Sequence, residues 1–305
     1  ARTGNAFLMQ QSPRAIDWMM LGCLCLAWGF AFLLIAVGLK SFPPLTLVTL
    51  RLFVGALVLF LLMQWQGLSL PSDARWWLRY VVLTLLGNLV PFTLITWGQL
   101  RVASSQAGLL MALVPISTLV LAHFFVDYER LTPQRVLGVI AGFIGVAALV
   151  GGEALTGLGG PSLPAQLAIV MATFSYALNN VYTKRLPHHN GLVTATGSLI
   201  VGAVIILPFS LVLEQPWQLQ VDPGPLLAVI TLGVFSTGLA TWLYFLVVSS
   251  CGPTFLSMIN YIIPALSFAA GVFLLSEPAS GWQFVGLVAI CAGIAISQHR
   301  RLPGK

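Results

Sequence analysis

The chain has 305 residues, of which 58% are hydrophobic and 7% are charged, and its mean hydropathy is +0.95. Soluble domains carry about 25% charged residues, so composition excludes a soluble enzyme and favours an integral membrane protein. The net charge of +6 comes from 14 Lys and Arg against 8 Asp and Glu, without the basic clusters typical of nucleic-acid binding.

Ten apolar segments lie between Pro, Gly and charged residues, each close to the 20 or so residues that a helix needs to cross a bilayer. They are residues 17–38, 43–64, 76–98, 103–124, 133–151, 164–183, 191–213, 224–248, 252–275 and 281–298, numbered here as spans 1 to 10. We expect span 1 to be retained rather than cleaved as a signal peptide, because it is too long and no small-residue cleavage site precedes span 2. The sequence predicts an all-α integral membrane protein with ten transmembrane helices.

The basic residues between the spans predict the orientation. With the N-terminus inside, the cytoplasmic set has eleven members and the outer set has two. The cytoplasmic residues are Arg2, Arg14, Arg75, Arg79, Arg130, Arg135, Lys184, Arg185, Arg300, Arg301 and Lys305, and the outer ones are Lys40 and Arg101. Since positive residues favour the cytoplasm, we expect a multi-pass protein of the cell (inner) membrane with both termini cytoplasmic.

The chain is predicted to be internally duplicated. Residues 50–60 resemble residues 197–207 at a shift of 147. Further matches at shifts of 148 or 149 are Pro115 with Pro264, Glu129 with Glu277, Gly138 with Gly286 and Gly145 with Gly293. Because each half has five spans, the second half must enter the membrane from the opposite side, as in secondary transporters with inverted repeats. The predicted units are residues 1–151 and 164–305, joined by a linker at 152–163; the alternative is a duplicated structural protein without a transport path.

Several motifs resemble those of a known family. They are AWGFAF at 27–32, PPLTLVTLRL at 43–52, and the segments ERLTPQRVLGVIAGFIGVAALV and EPASGWQFVGLVAICAGIAIS that end the two halves. The chain resembles the drug/metabolite transporter superfamily, in its ten-helix, EamA-type branch of metabolite exporters. That resemblance implies that four helices of each half surround a central cavity and that spans 5 and 10 are scaffold. One departure is an extra residue between Pro115 and Glu129, compared with Pro264 and Glu277, which leaves the end of span 4 undefined.

Two prolines within spans indicate hinges near a binding site. Pro115 frees the carbonyl of Met111 and Pro264 that of Asn260, because proline has no N–H to donate. Inside a bilayer such a carbonyl needs a partner or a wet cavity, and interrupted helices at matching positions of two repeats point to the substrate site of a transporter. The alternative is a kink whose carbonyl is satisfied by a neighbouring Ser or Thr.

Polar and aromatic residues at helical spacing predict the cavity lining. The predicted substrate-binding residues are Trp28, Arg51, Asn88, Phe92, Gln99, Met111, Tyr176, Asn180, Thr241, Tyr244, Pro253, Ser257 and Asn260. Hydrogen bonding between packed helices would explain any single amide or hydroxyl equally well. Arg51 is predicted to lie about 12 Å from the outer end of span 2, where it contacts a substrate carboxylate, braces unwound backbone or snorkels outward.

We expect a secondary transporter that exports amino acids or similar small metabolites by alternating access. A neutral cavity of aromatics and amides suits a zwitterion with an aromatic or large apolar side chain, as the resemblance to aromatic amino-acid exporters also implies. The alternatives are a drug or phosphometabolite carrier of the same fold, and a channel. An enzyme is not expected, since HExxH, GxSxG and paired intramembrane Asp motifs are absent from the sequence.

The remaining expectations concern ligands and coupling. The four cysteines lack the spacing of zinc or redox motifs, so neither a metal nor a cofactor is predicted. No Asp or Glu lies in the middle of a span, which favours a facilitator over a proton-coupled carrier. The expected partners are the small-molecule substrate and the lipid bilayer, with no nucleic acid; the sequence makes no prediction of oligomeric state.

Overall fold

The computed structural model describes residues 13–125, 132–154, 162–187 and 189–298, except for the side chains of residues 149–154, 253, 254 and 298. Within these ranges every regular element is helical. The first half contains α1 (Ala15–Gly29), α2 (Ala31–Gly38), α3 (Pro44–Trp65), α4 (Ala74–Thr84), α5 (Val90–Gly98), α6 (Ser104–Met111), α7 (Val114–Phe125) and α8 (Pro133–Ala154). The second half contains α9 (Leu163–Lys184), α10 (Gly191–Glu214), α11 (Pro223–Thr231), α12 (Ala240–Leu256), α13 (Ile259–Leu274) and α14 (Gly281–Gln298).

Six helical segments of the described chain are long and apolar enough to cross a membrane. They are Ala15–Gly38, Pro44–Trp65, Ala74–Gly98, Ser104–Phe125, Gly191–Glu214 and Pro223–Gly252. Shorter apolar helices occupy Pro133–Ala148, Ile259–Leu274 and Gly281–Ser297. α9 falls outside both groups because Gln166, Asn179 and Asn180 reduce its hydropathy. The prediction of an all-helical membrane protein is confirmed.

Two long helices contain a π-helical segment, in which the hydrogen bonds skip one residue more than in an α-helix. The first π segment (Leu85–Leu89) joins α4 to α5, and the second π segment (Leu232–Leu239) joins α11 to α12. Such segments are frequent at functional sites. The apolar runs of spans 3 and 8 predicted continuous helices, since an apolar sequence pattern does not reveal an inserted residue.

A helix break lies next to one of the two predicted hinge prolines but not next to the other. α6 ends at Met111 and α7 begins at Val114, directly before Pro115. Pro264, in contrast, lies inside α13, and the chain turns earlier, between α12 and α13. A further kink occurs at Gly252, whose φ of 79° is readily adopted only by glycine.

α8 and α14 pack tightly against each other through glycines. A Cβ atom on Gly293 would lie 2.6 Å from the carbonyl oxygen of Gly138, and one on Gly145 would lie 2.9 Å from that of Gly286. The four positions run in opposite order along the two helices, so the pair is antiparallel. The close approach explains the small residues in spans 5 and 10.

α6 and α13 cross at one end of the molecule. Gly108 lies against Ser267 there, and Gly271 lies against Ser105. This end also carries the N-terminus of α6 and Glu277, and it is called the Glu277 face below. Beyond the break, α7 packs instead against α8 and α9, so the two halves of span 4 have different neighbours.

Candidate functional site

Arg51 is the centre of the candidate site. It lies two turns into α3, and only 6% of its surface is exposed. Its Nε donates a hydrogen bond of 2.8 Å to Oγ1 of Thr237 in the second π segment, and its Cζ lies 3.6 Å from the centre of the Phe92 ring. Arg51 is therefore buried against both halves of the chain and does not snorkel to the aqueous surface.

The terminal nitrogens of Arg51 have no hydrogen-bond acceptor in the described part of the chain. Nε is its one nitrogen with a hydrogen-bond acceptor among the described residues, and Nη1 and Nη2 have none there. Both Nη atoms keep some solvent-accessible surface, because neither is sealed inside the protein. The Tyr176 ring lies within electrostatic range of the guanidinium.

The second π segment is also held by α1. Trp28 Nε1 donates a hydrogen bond of 3.0 Å to the backbone oxygen of Ser236, and Ser236 Oγ donates one of 2.5 Å to the oxygen of Ala27. The Trp28 ring lies 5.9 Å from the ring of Tyr244, tilted by 41°. Since Ser236 is followed by Thr237, Trp28 and Arg51 are attached to consecutive residues of the same segment.

The first π segment faces α9. Ser175 Oγ donates a hydrogen bond of 2.8 Å to the backbone oxygen of Leu86, and Gly87 lies against the side-chain amide of Asn179. The Oδ1 atom of Asn179 is buried without a donor among the described residues. Asn88 is half-buried and has no side-chain hydrogen bond within the described part of the chain. The amide of Asn88 is thus available to a polar ligand, whereas the Asn179 oxygen is sealed within the protein.

The structure brings five of the predicted lining residues into two groups. Arg51 lies beside Phe92 and Tyr176, and Trp28 lies beside Tyr244. Tyr176 and Tyr244 are both half-buried. The structure thus groups an arginine with aromatic rings from α5 and α9, and it pairs a ring of α1 with one of α12.

Other predicted residues have different surroundings. Gln99 donates a hydrogen bond of 2.9 Å from Nε2 to the oxygen of Phe32, and Thr241 donates one of 2.6 Å to the oxygen of Thr237 one turn earlier. Asn180 is exposed and donates to Oγ1 of Thr118 at 3.2 Å. These hydrogen bonds all join helices or turns of one helix, and Oε1 of Gln99 is buried without a donor among the described residues.

The remaining predicted positions lie near the helix breaks. Met111 is the last residue of α6, Ser257 lies between α12 and α13, and Asn260 lies in the first turn of α13. The side chain of Asn260 is half-buried and forms no hydrogen bond with the described residues. Pro253 lies in the last turn of α12, and its side chain is outside the described residues.

Two carboxylates cap the starts of helices. Glu277 accepts hydrogen bonds of 2.8 Å from the N–H and Oγ of Ser104 and from the N–H of Ser105, at the start of α6. Burial opposes its ionisation, but the hydrogen bonds from both serines outweigh burial and lower the pKa of Glu277. Glu214 at the end of α10 accepts similar bonds from Leu45 and Thr46, at the start of α3. The sequence pattern places both residues at span ends and does not reveal that they cap helices.

The described residues include no group of three or more His, Cys, Asp or Glu side chains able to hold a metal. The geometry instead provides a buried cation, aromatic rings, unpaired amides and two π segments within a bundle of apolar helices. This combination is typical of a polytopic membrane protein with a polar ligand site, and such sites occur in helical transporters.

Comparison with known proteins identifies the family. The EamA-like transporter family matches residues 15–151 and again residues 163–297. The chain belongs to this family, and the resemblance inferred from the sequence motifs is confirmed. It is therefore a multi-pass membrane protein of a transporter family rather than of an enzyme family.

Similar proteins extend along almost the whole chain. An uncharacterized transporter, YoaV of Bacillus subtilis, is 28% identical over 90% of this chain and 95% of its own. A Salmonella typhimurium protein named as a probable amino-acid metabolite efflux pump is 26% identical over 88% of this chain and 90% of its own. One crystal structure matches with a TM-score of 0.68 at 22% identity, covering 93% of this chain and 97% of that one. At that identity the likeness concerns the fold alone.

Proposed function

We propose that the protein is a secondary transporter that exports amino acids, especially aromatic or large apolar ones, or similar small metabolites across the cytoplasmic membrane. Family membership supports transport, and the Salmonella relative named as an efflux pump supports the substrate class. The observation that carries the proposal is the buried Arg51, which lies beside Phe92 and Tyr176. Its partner Thr237 follows Ser236, to which Trp28 is hydrogen-bonded. Aromatic rings can bind an apolar side chain and also an ammonium group.

The proposed mechanism is alternating access between two inverted repeats of five transmembrane helices, residues 1–151 and 164–305, joined by the linker 152–163. The double family match supports the duplication. The contacts of α8 and α14 support the inversion. Gly138 corresponds to Gly286 in the other half, and Gly145 corresponds to Gly293, so exchanging the halves turns the contact Gly138–Gly293 into the contact Gly286–Gly145. Such reciprocal contacts are what a two-fold axis generates.

We assign the Glu277 face to the outside of the cell, with both termini in the cytoplasm. The distribution of Lys and Arg supports this orientation. The crossing of α6 and α13, together with the Glu277 cap, then closes the outer side. On the inner side α7 diverges from α13 to pack on α8 and α9, which supports a conformation that receives substrate from the cytoplasm. Opening outward requires α6 and α13 to separate.

Transport is tested with the purified chain in proteoliposomes. Preloading with unlabelled phenylalanine should accelerate uptake of labelled phenylalanine and tryptophan, since a carrier shows counterflow and a channel does not. Flux should continue without a pH gradient, because no described carboxylate lies in the middle of a span. Absence of saturable flux for every amino acid tested would reject the substrate class, and flux that stops when the pH gradient is removed would reject a facilitator.

Topology is tested by labelling single cysteines in a cysteine-free background. Positions before α1 and after α8 should react from opposite faces of the membrane, because an odd number of crossings separates them. Reaction of both from the same face would exclude the inverted repeat and, with it, this form of alternating access.

A further inference from the structure

Arg51 is a buried cation for which the described side chains provide no counter-ion. The carboxylates with described side chains are Asp17, Asp73, Glu214, Asp222 and Glu277, and each has a hydrogen-bond partner other than Arg51. No ion pair to Arg51 occurs among the described residues. Moving an unpaired charge from water into a protein interior costs several kcal/mol, and a group that costs this much within a membrane span is commonly functional.

The orientation of the guanidinium leaves one edge for a ligand. A guanidinium has five N–H donors in a planar fork. Thr237 accepts from Nε, and the Phe92 ring covers one face. The edge formed by Nη1 and Nη2 has no acceptor among the described residues and reaches accessible space. Two parallel N–H groups match the two oxygens of a carboxylate.

We propose that Nη1 and Nη2 of Arg51 bind the carboxylate of the transported molecule, so that the transporter selects solutes with a single carboxylate group beside an apolar or aromatic body. This inference rests on the proposed function and narrows its substrate class. Thr237 and Phe92 hold the guanidinium in place. The apolar body then lies toward Trp28, which is attached to the residue next to Thr237.

Charge balance sets the selectivity. One guanidinium neutralises one carboxylate, whereas a phosphate dianion would leave an excess negative charge in a low-dielectric site. A ligand with a neutral amide in place of the carboxylate leaves the charge of the arginine unneutralised. A ligand with an amine and no carboxylate adds a second positive charge beside the arginine. The carboxylate is therefore required and the ammonium is not, so a simple arylalkyl carboxylate should bind where the matching amine does not.

Competition in wild-type proteoliposomes tests this without any variant. An excess of 3-phenylpropionate should inhibit counterflow of labelled phenylalanine, while phenethylamine, 3-phenylpropanamide and phenyl phosphate should inhibit roughly tenfold less or weaker still. Equal inhibition by the amide or the amine would overturn the proposal. If phenyl phosphate competes best, Arg51 belongs to a phosphate site and the proposal is again wrong.

Binding to purified protein separates this inference from the transport proposal. In a thermal unfolding assay, 3-phenylpropionate should raise the Tm of the wild type and 3-phenylpropanamide should not. Arg51→Gln should weaken the binding of 3-phenylpropionate by roughly tenfold to hundredfold, whereas the matched control Arg101→Gln, at an exposed connection, should leave it unchanged. Selective binding without any amino-acid flux would reject the proposed function but support the carboxylate site. A Tm raised equally by both probes, or by neither, or unaffected affinity in Arg51→Gln would overturn the carboxylate site.

Discussion

Replacing Glu277 by Gln should destabilise the protein through the start of α6. In the wild type one carboxylate oxygen accepts from the N–H and Oγ of Ser104, and the other accepts from the N–H of Ser105, all at 2.8 Å. A glutamine retains one acceptor oxygen but places an NH₂ group against one of these donors. The substitution therefore removes a hydrogen bond to an unpaired N–H of the first helical turn, and it removes the negative charge that favours a helix N-terminus.

The expected cost is about 1–2 kcal/mol in the free energy of unfolding, the range for loss of a helix cap that water can partly replace. Its pH dependence follows from the lowered pKa of Glu277. A carboxylate whose pKa is lower in the folded than in the unfolded protein stabilises the fold above its ordinary pKa of 4.5, and this stabilisation is lost as the pH falls through the folded-state value. The difference between wild type and variant should be constant from about pH 6 to pH 8 and should decrease in more acidic solution.

Unfolding in mixed micelles of increasing SDS content, followed by tryptophan fluorescence, measures this difference. Asp222→Asn is the matched control, because Asp222 is exposed and its Oδ2 lies 3.4 Å from Ser41 Oγ; this change should cost less than about 0.5 kcal/mol. Equal stability of Glu277→Gln and wild type at pH 7 would refute the capping role. A difference that persists unchanged well below pH 4.5 would refute the ionisation argument.

Three further predictions follow from the packing and the site. Gly293→Ala should lower the free energy of unfolding by about 1–3 kcal/mol, because its Cβ meets backbone atoms of α8. The control Gly281→Ala should not destabilise the protein, because nothing lies within 4 Å of the added Cβ. Equal effects of the two changes in the same SDS titration would contradict the close-packing argument. Glu214→Gln should lower the free energy of unfolding about as much as Glu277→Gln does. The two losses should add in the double variant, since the carboxylates share no partner. A non-additive loss would show that the two caps are coupled. Trp28→Leu should raise the KM for phenylalanine counterflow more than that for leucine, and an equal rise would remove the Trp28 ring from the binding surface.

The helices could be predicted from the sequence because their signals are local. Apolar runs bounded by Pro, Gly and charges give most helix ends closely, as for α3 and α10. The glycine contacts of α8 and α14 were also accessible, since small residues at a spacing of four indicate close packing. The two π segments were missed, although Gly87 and Gly233 within otherwise apolar runs are the kind of residue at which helices deviate from regular geometry.

Side-chain orientation in the site could not be predicted, because it depends on residues far away in the chain. The helical spacing grouped Asn180 with Tyr176, but Asn179 is the amide that meets Gly87, while Asn180 contacts α7. The position of an amide on an isolated helix gives its direction, not the identity of the helix that it faces.

Arg51 shows the same limit with larger consequences. The sequence allows three roles for Arg51: contact with a substrate carboxylate, support of unwound backbone, and snorkelling. Which role applies depends on what lies opposite α3. The partner is Thr237, 186 positions further along the chain, inside a π segment that the sequence pattern does not reveal. Once that contact is known, snorkelling is excluded and the other two roles become compatible, because Nε supports the π segment while Nη1 and Nη2 remain for the ligand. A ligand on that edge would therefore touch the same guanidinium that links the two halves of the chain, which joins recognition to the helices that must move during transport.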